Sequence, residues 1–255
     1  MKLIDTHTHL YLESFDTDRN EVIQHAVNQG IETMLLPAID LSTYNSMMDL
    51  VKEHPENCLP MIGLHPTSVN STYEEEISFV ESKLIADSFI AIGEIGIDLY
   101  WDGTYVDQQK DAFRRQLRIA KKYKLPVVIH MRDSFNEIYS VVKEEITDNL
   151  VGVFHCFTGT TYEAKKIMEL GFLIGIGGII TFKNAGLADV VQNLPLESLV
   201  LETDSPFLTP APFRGKRNQS AYIMYIAEKL AQVKNMKIEQ IAEITSNNAV
   251  ELFNL

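Results

Sequence analysis

The sequence alternates between short apolar segments and longer segments with helical periodicity. Eight apolar segments, rich in β-branched residues, are each followed by a polar turn and then by a stretch with apolar residues every three to four positions. The expected strands are residues 3–4, 31–36, 58–63, 89–93, 126–129, 150–154, 172–176 and 199–201. This alternation predicts parallel strands joined by crossover helices, which is an α/β fold.

The segments between the expected strands carry helix signals. Residues 73–86 begin with a run of glutamates, which suits the positive end of a helix dipole. The predicted helices are residues 19–29, 43–53, 73–86, 107–123, 134–146, 161–170, 184–193, 218–233 and 238–253. Eight strand–helix units in 255 residues fit a closed barrel better than an open sheet. We therefore expect a TIM (β/α)8 barrel, a single domain over residues 1–255 with one extra C-terminal helix.

Composition narrows the expected environment and partners. Hydrophobic residues make up 45% of the chain, enough for a large core, and the net charge of −13 opposes non-specific binding to duplex nucleic acid. No signal-peptide pattern is evident, and no apolar run approaches the ~18–20 residues that span a bilayer. Cys58 and Cys156 lie in apolar segments, as reduced core cysteines do. We expect a cytoplasmic protein with no membrane partner, as a monomer or weak homo-oligomer.

Histidines and acids follow the expected strands at a common position. Five of the seven histidines lie at the carboxyl end of an apolar segment, and two acids do the same. These residues are His7, His9, His65, His130, His155, Glu94 and Asp204. One such histidine is more often a hydrogen-bonded structural residue, and for His65 alone that alternative stays open. As a set they predict an active site, because strand ends in a barrel converge on the face that carries catalysis.

This donor set suits metal ions. Side chains two apart on a strand share a face, so His7 and His9 are expected to point into the barrel together. Four histidines and two carboxylates are too many ligands for one catalytic zinc, so we expect two divalent cations with Glu94 as the bridge. The predicted ligands are His7, His9, Glu94, His130, His155 and Asp204. Imidazole and carboxylate ligands fit Zn, Mn, Fe or Ni, and Mg through the carboxylates.

Three neighbours of these ligands are assigned by strand parity. Asp5 shares the parity of His7 and is expected to accept a hydrogen bond from a ligating imidazole. Glu202 shares the parity of Asp204 and is expected to do the same. Cys156 alternates away from its neighbouring histidine, which indicates a packing role.

Seven short motifs occur together along the chain. They are residues 4–9 (IDTHTH), 63–66 (GLHP), 93–98 (GEIGID), 130–133 (HMRD), 155–159 (HCFTG), 201–206 (LETDSP) and 214–218 (RGKRN). In this order and spacing, over almost the whole chain, they resemble the TatD family of metal-dependent deoxyribonucleases. The resemblance implies a TIM barrel, two divalent metals and hydrolysis of DNA phosphodiester bonds, often as a 3′–5′ exonuclease on single strands. One metal would take His7, His9, Glu94 and Asp204, and the other Glu94, His130 and His155.

The sequence departs from the family pattern at a few positions. Gln219-Ser220 stands where the family typically has Glu-Pro, which puts the local loop geometry in doubt. Met131 occupies a position where a small polar residue is common. Glu94 stands where many amidohydrolase relatives carry a carboxylated lysine, which favours the TatD branch over the lactonase and urease-like branches.

The charge of the predicted centre favours an anionic substrate. Two divalent ions outweigh the two carboxylates of Glu94 and Asp204, which suits a phosphate better than a neutral amide. We expect Glu94 to act in catalysis through the metals and Asp204 to take the proton of the attacking water as well as bind metal. His65 and Arg132 are expected to contact the phosphate.

Two segments are candidates for binding a nucleic acid strand. Arg214, Lys216 and Arg217 lie next to an aromatic residue, a combination that suits a single strand, although a solvated surface loop is the alternative. Tyr100 and Trp101 follow the strand of Glu94 and are expected to stack on a base, with packing at the rim as the alternative.

Two other classes of function stay open. One is another metal-dependent hydrolase, such as an amidohydrolase or an aminoacyl-tRNA deacylase. The other is a non-catalytic metal- or nucleic-acid-binding protein, against which the intact ligand set argues. Sequence does not distinguish DNA from RNA, exonuclease from endonuclease, or one metal from another.

Overall fold

Eight parallel strands form the centre of the molecule. The computed structural model describes residues 1–101 and 103–255. The strands are β1 (Leu3–Asp5), β2 (Ile31–Pro37), β3 (Cys58–Met61), β4 (Ile92–Asp98), β5 (Val127–Arg132), β6 (Gly152–Phe154), β7 (Leu173–Ile176) and β8 (Leu199–Leu201). Strands β1 to β3 pair in sequence order in one sheet, and strands β4 to β8 pair in sequence order in a second sheet.

Backbone contacts join these two sheets at both edges. Ile62, just after β3, forms a parallel bridge with Ile92 of β4. At the other edge, Thr8 after β1 forms a parallel bridge with Ser205 after β8, and the amide of Thr6 donates to the Leu201 carbonyl. The strands therefore close into the TIM (β/α)8 barrel that the sequence predicts.

Helices surround the barrel, one after each strand. They are α1 (Arg19–Asn28), α2 (Leu41–Glu53), α3 (Tyr73–Ala86), α4 (Val106–Tyr123), α5 (Phe135–Glu145), α6 (Thr161–Glu169), α7 (Leu187–Gln192), α8 (Ile223–Lys234) and α9 (Ile238–Phe253). Local sequence sets several of the boundaries. The carboxylate of Asp40 accepts from the amides of Ser42 and Thr43 to begin α2, and Lys124 ends α4 in the left-handed conformation.

A layer of apolar side chains fills the half of the barrel nearer the amino ends of the strands. Strands β2, β3, β5, β6 and β8 contribute Leu35, Met61, Val128, Val153 and Val200. Ala249 and Phe253 of α9 pack against this layer, so the extra C-terminal helix covers the amino end of the barrel. No helix within the described residues combines the length and the apolar character needed to cross a membrane.

Strand β4 extends further than the sequence predicts. The apolar segment ends at Gly93, but the strand continues to Asp98, so Glu94 lies inside β4. Its pairing with β5 requires Gly96, where the backbone φ is 151° and an added Cβ would overlap the carbonyl oxygen of His130. The sequence missed this extension because a polar barrel mouth removes the apolar pattern by which strands are recognised.

Candidate metal centre at the barrel mouth

Strand alternation delivers the central side chains to the barrel axis. Val128 on β5 points into the barrel, and His130 two residues later shares its face. Val153 on β6 places His155 in the same way. The side chains of the predicted ligands therefore form a polar layer directly above the apolar layer of the barrel.

The carboxylate of Glu94 lies at the centre of this layer. It is 3% exposed, and four imidazoles surround it. Its Oε1 lies 2.6 Å from Nε2 of His155, 2.8 Å from Nδ1 of His130 and 3.2 Å from Nε2 of His65. Its Oε2 lies 3.1 Å from Nε2 of His7. A carboxylate with ligand atoms around both oxygens is placed to bridge two cations.

A second group of donor atoms lies beside Glu94. Nε2 of His7 is 3.3 Å from Nε2 of His9 and 3.9 Å from Oδ1 of Asp204. Nε2 of His9 lies 3.5 Å from the same Asp204 oxygen and 3.8 Å from Oε2 of Glu94. These atoms come from the ends of β1 and β8 and from β4, which meet only because the barrel is closed.

The spacing and chemistry of these donors fit divalent cations. Metal–nitrogen bonds of about 2.05 Å in a tetrahedron place neighbouring ligand atoms about 3.3 Å apart. The separations among His7, His9 and Asp204 lie near this value. Three groups of donor atoms meet the distance requirement of a cation site: His7, His9 and Asp204; His7, Glu94 and His155; and His65, Glu94 and His130. The structure thus adds His65, which the sequence analysis assigned to phosphate contact, to the possible ligands.

The carboxylate of Glu94 and the imidazoles around it shift one another's pKa values. Burial opposes ionisation of Glu94, but the imidazoles of His155, His65 and His7 hold its pKa well below the usual range. Burial opposes protonation of His155, yet Glu94 and Glu202 raise its pKa well above the usual range. A cation bound among these donors would compete with protons for the same imidazole nitrogens.

Two acids lie behind the candidate ligands. Oε1 of Glu202 lies 3.5 Å from Nδ1 of His155 and accepts a hydrogen bond from the amide of Cys156. Oδ2 of Asp98 lies 2.9 Å from Nε2 of His130, so Nδ1 of that ring is the nitrogen that faces Glu94. At His130 such a carboxylate orients the imidazole and raises its basicity as a ligand, whereas Nδ1 of His155 has no hydrogen-bond partner among the described residues.

The expectation for Asp5 is wrong. Its carboxylate accepts from the amide and the hydroxyl of Thr203, at 2.8 and 2.6 Å, and so joins β1 to the chain after β8. Strand β1 ends at Asp5 and the backbone bends at His7, so the alternation that relates these two side chains is interrupted. Burial raises the pKa of Asp5 to about 7.

Several non-glycine residues at this face have positive φ. Asp133, Cys156, Asp204 and Leu208 have φ between 47° and 57°, and all four line the cleft above the candidate ligands. Such conformations cost free energy and concentrate at functional sites. Asp204 is itself a candidate ligand, and Cys156 directly follows the candidate ligand His155.

A cleft of about 790 Å³ leads from solvent to these donors. Tyr100, Trp101 and Arg132, which are predicted to contact the substrate, are among the residues that line this cleft. The Arg132 guanidinium carbon lies 4.2 Å from the centre of the Tyr100 ring and 5.8 Å from that of Trp101. The Tyr100 and Trp101 side chains are 55% and 70% exposed, so their rings are available to a ligand.

The three basic residues of the loop at residues 214–217 have different surroundings. Arg217 donates to both carboxylate oxygens of Asp18 and to the carbonyl of Ser14, which makes it a structural residue in this protein. Arg214 packs over the ring of Phe182 at 3.6 Å, and Lys216 is exposed. Contact of Arg214 and Lys216 with a substrate stays a prediction.

Sequence reasoning missed three residues of the site. Asp98 belongs to a recognised motif, and its even spacing from Glu94 could have indicated a shared face. Tyr11 is likewise an even number of positions, two, from His9, whose Nδ1 lies 2.8 Å from the Tyr11 hydroxyl. Phe207 lines the cleft with its ring centre 6.1 Å from that of His9, and no pattern in the sequence marks it.

The chain is similar to known metal-dependent hydrolases over almost its whole length. A family model described as TatD related DNase matches residues 4–254. The uncharacterized metal-dependent hydrolase YabD of Bacillus subtilis (strain 168) is 40% identical over 254 residues, which is 99% of each chain. The 3′-5′ ssDNA/RNA exonuclease TatD of Rahnella sp. (strain Y9602) is 32% identical over 247 residues, which is 94% of each chain.

A solved structure supports the same relationship. The crystal structure of YjjV, a TatD homolog from Escherichia coli K12, superimposes with a TM-score of 0.90 at 29% identity. The match covers 99% of this chain and 98% of that chain.

Proposed function

The chain belongs to the TatD-related DNase family of metal-dependent hydrolases, and on that premise we propose that it cleaves the phosphodiester bonds of single-stranded DNA from the 3′ end. The observation that carries the proposal is the convergence of four imidazoles on Glu94 beneath a cleft rimmed by Arg132 and exposed aromatic rings. A buried donor set of this kind suits cations, and a cationic and aromatic rim suits a nucleic acid strand.

The proposed cofactors are two divalent cations. His7, His9, Glu94 and Asp204 would hold one, and Glu94 with the pair His130 and His155 would hold the other, as the distances among these atoms allow. Bound there, the cations would polarise the phosphoryl group and lower the pKa of the attacking water. The mixed imidazole and carboxylate set fits Zn, Mn, Fe or Ni, with Mg as a further possibility.

The side chains around the centre have separate proposed roles. Burial opposes ionisation of Asp204, but the nearby imidazoles of His9, His7 and His155 hold its pKa below the usual range. Asp204 is therefore a carboxylate at neutral pH, and its side chain is 13% exposed toward the cleft, where it can accept the proton of the attacking water. Arg132 can hold the phosphate, because its guanidinium lies at the rim of the cleft, 4.2 Å from the centre of the Tyr100 ring.

The shape and charge of the molecule favour single strands. A net charge of −13 gives a duplex little non-specific attraction, because that attraction comes from many basic residues along the phosphate backbone. The donors lie at the base of a cleft, so a flexible end with exposed bases reaches them more readily than paired bases do. Tyr100 and Trp101 then provide faces on which one base can stack.

The test is digestion of oligonucleotides by the purified, metal-loaded protein. Single-stranded DNA labelled at its 5′ end should give a ladder of progressively shorter labelled products. A blunt duplex of the same sequence should be cut more slowly, and single-stranded RNA provides the comparison with the Rahnella relative. The Glu94→Ala variant, prepared in the same way, controls for a contaminating nuclease and should be inactive.

Three results would count against the proposal. Faster cleavage of the blunt duplex would reject the preference for single strands. Release of internal fragments from a circular single strand would replace the exonuclease with an endonuclease. Deacylation of aminoacyl-tRNA without any nuclease activity would assign the same metal centre to a different hydrolase.

A cytoplasmic location and a monomeric or weakly self-associating state stay predictions.

A further inference from the structure

The phenol of Tyr11 joins a candidate metal ligand to the backbone. Its hydroxyl oxygen lies 2.8 Å from Nδ1 of His9 and 2.6 Å from the carbonyl oxygen of Pro37. Tyr11 is 2% exposed and His9 is 3% exposed, so water does not compete for either contact. The arrangement connects the chain after β1 to the last residue of β2.

The hydrogen-bonding capacity of these groups fixes the direction of both contacts. A carbonyl oxygen only accepts, so the phenol proton must point to Pro37. The phenol oxygen is then an acceptor toward the ring of His9, and Nδ1 must carry a proton to donate.

The tautomer of His9 follows from this direction. A neutral imidazole with a proton on Nδ1 has a lone pair on Nε2. Nε2 is the His9 atom that faces the donor group, 3.5 Å from Asp204 and 3.3 Å from Nε2 of His7. We propose that Tyr11 is a positioning residue that holds His9 in the tautomer and ring orientation required to bind a cation through Nε2.

Tyr11 differs in kind from the groups behind the other histidines. Glu202 and Asp98 stand behind His155 and His130 as carboxylates, whereas a phenol stands behind His9 and brings no charge. A neutral acceptor orients the ring without drawing an extra proton into the site. Its removal should therefore alter the tautomer and the cation affinity, with little change in the net charge of the centre.

The experiment uses metal and no nucleic acid. The proposal rests on the metal-dependent hydrolase function, and a failure of the proposed nuclease activity would not affect this result. Mn²⁺ is titrated into the metal-free full-length chain for wild type, Tyr11→Phe and Tyr44→Phe. Tyr44 is the matched control, because it is a buried tyrosine on α2 whose hydroxyl donates to Asp87 at 2.6 Å, away from the donor group.

The expected result is a selective loss of affinity. Tyr11→Phe should weaken the cation site that uses His9 by about 10- to 100-fold, the usual effect of removing a group that orients a ligand. Tyr44→Phe should stay close to wild type. Wild-type affinity in Tyr11→Phe would overturn the proposal, and so would an equal loss in both variants.

A nuclear magnetic resonance measurement tests the tautomer directly. In metal-free protein with ¹⁵N-labelled histidine, the ring of His9, assigned with a His9→Gln variant, should carry its proton on Nδ1. Tyr11→Phe should shift the ring toward the Nε2-protonated form, while Tyr44→Phe should not. Nε2 protonation of His9 in the wild type would overturn the proposal, and this result decides the matter even if Tyr11→Phe does not fold.

Discussion

Nε2 of His155 and Oε1 of Glu94 lie 2.6 Å apart at the centre of the barrel, although β5 separates the strands that carry them. Both groups can bind a cation, so the pair lies where the donor set would hold one. Since Glu94 also contacts His7 through its other oxygen, the same carboxylate serves both halves of the proposed centre.

Replacing Glu94 should have a different effect from replacing His130. The folded wild-type chain should bind about two divalent cations, as the size of the donor set requires. Glu94→Ala should weaken both sites, because the carboxylate faces both, whereas His130→Ala should mainly weaken one. Elemental analysis and metal titration of each variant measure this. Loss of the same single site in both variants would contradict a bridging role.

Cation binding should release protons and strengthen as the pH rises. Glu94 and Glu202 raise the pKa of His155 despite its burial, and hydrogen bonds to Asp98 and Glu94 raise that of His130. The raised pKa values favour the protonated rings, and a bound cation would displace those protons, so affinity should rise with pH by up to about tenfold per pH unit for each proton released. Calorimetry in buffers of different ionisation enthalpy counts the protons. A pH-independent affinity around neutrality would refute the prediction.

Asp204 should matter more for turnover than for cation binding. Asparagine keeps the shape and one ligating oxygen of Asp204 but is a poor base. Asp204→Asn should therefore hold most of its metal at saturating concentration while kcat falls by roughly 10²–10⁴-fold. The measurement is kcat with metal content determined on the same sample. Recovery of wild-type activity at saturating metal would limit Asp204 to a role as a ligand.

The exposed ring of Trp101 should contribute to substrate binding. Base–aromatic stacking is worth about 1–3 kcal/mol, so Trp101→Ala should raise KM for single-stranded DNA by roughly 5- to 150-fold with a smaller change in kcat. Arg132→Ala should also raise KM, and should reduce the dependence of KM on salt. Lys52→Ala provides the control, since it removes an exposed charge at the carboxyl end of α2. An unchanged KM in Trp101→Ala would assign that ring to rim packing.

Phe253 should be important for stability and neutral for metal binding. It is 3% exposed and packs with α9 against the apolar layer at the amino end of the barrel. Truncation of a buried phenylalanine costs about 3–5 kcal/mol, so Phe253→Ala should lower the free energy of unfolding by that amount. Ile85→Ala, at a residue that is 79% exposed, should change it little. Denaturant unfolding of both variants checks the difference.

Sequence pattern predicted most of the fold because a single physical rule, the alternation of apolar and amphipathic segments, repeats in every unit. It also located the candidate ligands, since a barrel brings the carboxyl ends of its strands together. Its errors arose where local geometry breaks the rule. The bend at His7 separates Asp5 from the inward face, and β4 continues through residues whose polarity hides the strand.

The sequence pattern could not predict contacts between distant segments of the chain. Nothing local to Arg217 indicates that Asp18 holds its guanidinium. Likewise, Tyr11 gains its role from Pro37, which arrives from the next strand. Both contacts depend on the packing of loops at the barrel mouth, and loop packing leaves no periodic signature in a sequence.

The bridge between Thr8 and Ser205 also sets the order in which the molecule can be completed. His7 and His9 follow β1, and Asp204 follows β8, so the donor group of these three residues is incomplete until residue 204 has been synthesised. Pairing over such a sequence distance is slow, because the intervening chain must first be ordered. A ribosome-bound intermediate would thus present an unfinished donor set with low affinity for cations. Metal binding would therefore occur late in folding, when the backbone contacts between the ends of β1 and β8 form.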